Sequence, residues 1–252
     1  MTFRRQILKL VLALAAGGCV RKIDYDPSDR NWFPAVEGRY RIYRVDSTKW
    51  VRCEGSCTSF DTLIGSRNNR FVKVRRTLFR KDLTDSVETD LRDRITHRLH
   101  ILYAPYDSAT DSYGPFEFYR VWTQYKDQYQ AERIEATIKY VVLRFPPSTR
   151  ITWNGNEFNA LGREDYRYLS IDTTVTVNGQ TFEGCAFVLQ RKRKTLSEEF
   201  YTYEIYAPNV GLIERYNFEM IFFVGADNNG NLFYELQRAT IEHLTLKEHN
   251  YY

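Results

Sequence analysis

Residues 87–103 read VETDLRDRITHRLHILY, and this run decides the fold class. Odd positions carry Val87, Thr89, Leu91, Asp93, Ile95, His97, Leu99, Ile101 and Tyr103. Even positions carry Glu88, Asp90, Arg92, Arg94, Thr96, Arg98, His100 and Leu102. A period of two is the signature of a β-strand, because successive side chains point to opposite faces. As one strand the run would span about 55 Å at ~3.3 Å per residue, so a bend or bulge is expected inside it.

Working outward, comparable runs occupy 71–79, 116–125, 134–145, 166–172, 173–177, 181–190, 200–206, 213–224 and 232–246. Asn178-Gly179 joins two of them as a tight hairpin, since both residues tolerate positive φ. Asn154-Gly155-Asn156 and Asp227 to Asn231 make similar turns. Residues 126–137 fit either a helical turn or a charged strand. Nineteen Tyr and sixteen Phe reinforce the preference for strands. The expected fold is all-β: a mainly antiparallel, strongly curved sheet or partly open barrel or sandwich, with few short helices. Pro146-Pro147 is the best internal punctuation, so the body at 32–252 has either one unit or two halves meeting near 146–150.

The N-terminus carries Arg4-Arg5, an apolar run from Ile7 to Ala16, then Gly17-Gly18-Cys19. Basic flank, short apolar core and small residues describe an export signal, too short to span a membrane. The small-small-Cys ending resembles the bacterial lipobox. That resemblance implies removal of 1–18, lipid on Cys19 and a flexible, charged tether over 19–31. The protein would then sit in the cell envelope, anchored through its lipid. No aspartate follows Cys19 to suggest inner-membrane retention, and no acidic run near the N-terminus marks surface export.

The Gly38-Arg39-Tyr40-Arg41-Ile42-Tyr43-Arg44-Val45 opening, Phe145-Pro146-Pro147, Trp153-Asn154-Gly155-Asn156 and the 206–213 phrase YAPNVGLI follow Cys19 in order. Together they resemble a group of uncharacterised Bacteroidota envelope lipoproteins. The resemblance implies a β-rich fold and an outer-membrane address, on the periplasmic side with the cell surface as the alternative, and it supplies no catalytic residue.

The net charge of +4 is small, and Arg and Lys are interspersed with Asp and Glu. This pattern disfavours a nucleic-acid surface. Cys53 and Cys57 bracket Glu-Gly-Ser, a spacing that suits a small disulfide in an oxidising compartment, free thiols or, less well, a metal. Cys185 sits in a strand-like run and reads as a small buried hydrophobe. Asp93 and His97 share the apolar register of the 87–103 run, which makes them possible polar residues of a ligand cavity. Arg191 to Lys194 followed by Glu198-Glu199 reads as a solvated hairpin tip. No nucleophile elbow, complete metal-ligand set or cofactor motif is present in the sequence. The expected function is therefore a non-catalytic binding or structural module for a lipid, glycan or protein partner. The alternative is an envelope hydrolase using acidic residues.

Overall fold

The computed structural model describes residues 31–52, 71–91 and 93–251. Cys19, Cys53 and Cys57 lie outside them. The first strands are β1 (Tyr40–Arg52), β2 (Phe71–Thr89), β3 (Ile95–Asp107), β4 (Ser112–Tyr113), β5 (Glu117–Lys126), β6 (Gln130–Glu135) and β7 (Ile138–Arg144). After residues 145–151 come β8 (Thr152–Asn154), β9 (Asp165–Val177), β10 (Gln180–Lys194), β11 (Glu198–Ala207), β12 (Gly211–Ala226) and β13 (Leu232–His249). No helix occurs among the described residues.

Every ladder is antiparallel. The order is β7-β6-β5-β3-β2-β1-β13-β12-β11-β10-β9-β8, with β4 paired to β3 off that path. The sheet curls until its two edge strands, β7 and β8, approach each other, giving a barrel with one unsealed seam. Side chains close most of that gap. Trp153 Nε1 donates to Val141 O at 2.8 Å, and Asn159 Nδ2 donates to Lys139 O at 2.7 Å. The Tyr168 hydroxyl donates to Arg144 O at 2.7 Å, while Val141 N donates to Gly155 O at 2.9 Å. The β7 edge is thus satisfied without a regular ladder, which removes a template for pairing with another chain. A Cβ on Gly155 would lie 2.3 Å from the Tyr166 ring, so only glycine lets the seam close here.

The 87–103 run is two strands rather than one. β2 ends at Thr89, β3 begins at Ile95, and Val87 lies opposite His97 across the hairpin. The turn contains no glycine, proline or asparagine. Asp93 takes φ 57° in their place, and Asp90 accepts from the backbone N–H groups of Asp93 and Arg94, both at 3.1 Å. The same correction applies to 134–145: Ala136, at φ 58°, turns the chain between β6 and β7. Asn178-Gly179 has positive φ at both positions (48° and 80°), as its hairpin requires. Asp227 holds the β12–β13 turn, accepting from Asn229 N and Asn231 N at 2.8 Å each.

One end of the barrel is closed and apolar. Trp32, Phe33, Tyr43, Tyr168, Leu244 and Leu246 are buried there in one cluster. Trp32 Nε1 donates to Gly184 O at 2.9 Å, and Asn209 N donates to Asn31 O at 2.8 Å, which fixes the entering chain. The β9–β10 hairpin bends over this end at a bulge around Gly184 (φ 65°), and Asn178 Nδ2 reaches Leu246 O on β13 at 2.7 Å. Cys185 beneath it is a buried free thiol that burial pushes up to about 11. At the other end, where β1, β2, β12 and β13 extend, none of the described residues covers the interior.

Candidate functional site

Above the apolar floor the interior changes character. β6 places Arg133 and Glu135 on its inner face, β11 places Glu204 and Tyr206, and β12 places Arg215. Arg133 Nη2 donates to Glu204 Oε1 at 2.7 Å, and its Nε donates to Glu135 Oε1 at 2.7 Å. Arg215 Nη1 reaches the same Glu135 oxygen at 3.2 Å, and its Nε lies 3.4 Å from Glu204. The Tyr206 hydroxyl donates to Glu204 Oε2 at 2.5 Å. Six strands separate β6 from β11 along the sheet, so these bonds cross the barrel interior.

Glu204 is fully buried and Arg133 is 3% exposed. Burial alone would raise both carboxylate pKa values. The facing guanidiniums of Arg133 and Arg215 prevail, holding Glu204 below the usual carboxylate range and pulling Glu135 down to about 2. Beside them Arg80 clasps Asp82 through two bonds of 2.7 and 2.8 Å, and its guanidinium lies 4.2 Å from the centre of the Trp122 ring. This is the charge-assisted, bidentate geometry in which a buried pair is strongest.

Two cavities open into the barrel, and the first reaches the charged waist. The first, about 190 Å³, lies at the seam. Tyr140 of β7, Asn156 and Glu164 of the β8–β9 connection, and Arg133, Arg191 and Arg215 line it. Arg191 Nε lies 3.0 Å from Glu164, and its guanidinium covers the Phe200 ring at 3.5 Å. The second, about 850 Å³, is the open mouth. Ser47, Lys49, Arg76, Tyr103, Glu117 and Glu242 face it, and its four charged groups form no ion pair among the described residues.

Asp93 is exposed in the β2–β3 turn. His97 is buried at 1%, with Nε2 2.6 Å from Gln124 Oε1 and its ring edge-on to Phe33, and it lines neither cavity. The structure does not bring the two together. Arg191 also departs from expectation. Only the later part of its run forms the solvated tip, where Arg193 pairs with Glu198 and Lys194 with Glu199.

The waist escaped sequence reading because a charged residue on a strand is ordinarily taken to face water. One signal was available: Arg-x-Asp and Arg-x-Glu place opposite charges on the same strand face. The pattern occurs at 80–82 and 133–135, where it is buried, but also at 163–165, where it is exposed.

No family profile and no curated protein matches the chain. Among solved structures, it is similar to a crystal structure named a "putative lipoprotein" from Parabacteroides distasonis. Sequence identity is 14% and the TM-score 0.43, over 87% of this chain and 98% of that one. At that score nothing about fold or activity is transferred from it.

His97 yields a pH prediction. Burial, opposed by the Gln124 bond, lowers its imidazole from 6.5 to about 4. Between those values the unfolded chain binds more protons than the native one, so stability falls as pH drops through this window. Glu135, lowered from 4.5 to about 2, extends the loss below pH 4.5. In urea titrations, His97→Gln should shrink the stability difference between pH 7 and pH 4.5 by roughly 2–3 kcal/mol. An unchanged difference contradicts the assignment.

Proposed function

We propose that this chain is a lipid-anchored, non-catalytic binding module of the cell envelope, and that its seam pocket takes a sugar unit of a glycan. The observation that carries the reading is the chemistry of that pocket. At about 190 Å³ it has the size of a single sugar ring rather than of an acyl chain. Its guanidiniums are all paired: Arg191 with Glu164 in the lining, and Arg133 and Arg215 with Glu135 and Glu204 behind it. Such a site selects a ligand rich in hydroxyl groups over one with a large net charge. Tyr140 and Tyr166 add ring surface against which a sugar can pack.

The waist disfavours the other versions. An acyl chain threaded through the interior would have to lie against buried ions that gain nothing from hydrocarbon. Glu135 and Glu204 are held ionised by guanidiniums, so neither has a proton to give as a general acid near neutral pH.

The anchor rests on residues 1–19. The described chain enters at the closed end, beside Asn31. A tether over 19–31 reaches at most about 45 Å from the membrane. The mouth would then face away from the bilayer. The outer membrane, periplasmic side, is the address this reading favours.

Two measurements test the proposal. Cys19→Ala should move the protein from the membrane fraction to the soluble fraction; retention at the membrane removes the lipid anchor. Calorimetric titration of the delipidated protein with neutral hexose oligosaccharides (maltohexaose, cellohexaose, mannohexaose) should show binding to at least one, weakened about tenfold, or ~1.4 kcal/mol, by Arg191→Ala. Absence of binding to all three, or an acyl lipid co-purifying in native mass spectra, overturns the glycan reading.

A further inference from the structure

Between the apolar floor and the charged waist lies a small internal chamber, distinct from the seam pocket although Arg133 borders both. Arg41, Tyr43, Arg80, Asp82, Gln124 and Arg133 line it, and all six are buried. It offers about 10 Å³ to the centre of a water-sized guest, room for a single small species.

The charges around it do not balance. Arg80 is matched by Asp82, and Arg133 and Arg215 are matched by Glu135 and Glu204. Among the groups of the chamber and waist, four guanidiniums (Arg41, Arg80, Arg133, Arg215) thus meet three carboxylates (Asp82, Glu135, Glu204), and 4 − 3 leaves one positive charge, while the charged groups of the larger cavity, Lys49, Arg76, Glu117 and Glu242, are equal in number of each sign. Arg41 is the one of the four that forms no ion pair among the described residues; the Asp82 carboxylate favours its charge but is itself clasped by Arg80. Arg41 is 5% exposed, donates one bond from Nη1 to Val210 O at 3.2 Å, and stands 5.4 Å from the Tyr251 ring centre. Its Nε is buried without a hydrogen-bond partner among the described residues. The fold makes room for this guanidinium. Gly211 has φ +92°, and a Cβ there would lie 2.3 Å from Arg41 Nη1.

A buried cation without a counter-charge is strongly unfavourable. Water in the chamber would satisfy the donor and leave the charge. Phosphate, sulfate and carboxylates exceed the space. We propose that the chamber holds one monatomic anion, chloride, against Arg41. The ion completes the interior charge balance and ties the floor to the waist.

Crystals of the full chain grown with bromide in place of chloride test this. One anomalous peak beside Arg41 Nε is expected; no peak there overturns the proposal. In solution, the thermal midpoint should stand about 3–6 °C higher at a chloride concentration ten times the dissociation constant than in gluconate, an anion too large to enter. Arg41→Gln should lose that shift, while Lys192→Gln, a change on the exposed surface, should keep it. A wild-type midpoint that is the same in chloride and gluconate, or an Arg41→Gln protein that retains the shift, overturns the proposal. If Arg41→Gln does not fold, the bromide peak in wild-type crystals decides.

Discussion

The bond from Arg133 to Glu204 is the interaction on which the rest of this structure depends. It joins β6 to β11 across the interior, and both groups are out of water. A buried ion pair is a poor source of net stability against an apolar replacement, but losing one partner is severe because the other charge is stranded. The pair therefore works as a constraint. β6 and β11 must face each other with Glu135, Arg215 and Tyr206 in place, or several buried groups lose partners together. That requirement fixes how far the sheet curls and where its edges meet.

The seam follows from the same constraint. With β6 fixed against β11, β7 and β8 are brought close but not into a regular ladder. Trp153, Asn159 and Tyr168 supply the donors that a neighbouring strand would have supplied. The gap lies beside the waist, so the interior charges are reachable from outside through one polar pocket. A fully closed barrel would have sealed them in. The floor, by contrast, is apolar and covered by the β9–β10 hairpin. Polarity thus varies along the barrel axis, from hydrocarbon at the entry of the chain, through ions, to the open mouth.

Much of the architecture was legible in the sequence, and the hidden parts share one physical cause. Alternation over 200–206, 213–224 and 232–246 located β11, β12 and β13, and Asn178-Gly179 located the β9–β10 turn. The turns after Thr89 and at Ala136 were not visible, because Asp93 and Ala136 adopt positive φ without the usual glycine or asparagine. The waist was invisible for a deeper reason. Whether Glu204 faces solvent or a guanidinium depends on a strand far away in sequence, and period-two patterning gives a residue's face but not what lies opposite. Asp93 and His97 illustrate the limit: they share a register in the sequence and are parted by a turn in the fold.

A double-mutant cycle on Arg133 and Glu204 tests this account most directly. Arg133→Met, Glu204→Leu and the double variant would be compared with the wild type in urea unfolding. The account predicts large single losses and a double variant much less damaged than their sum, with a coupling of about 2–3 kcal/mol. Losses that add to within about 0.5 kcal/mol would mean that the two side chains do not meet across the interior, and the seamed barrel with its charged waist would be contradicted.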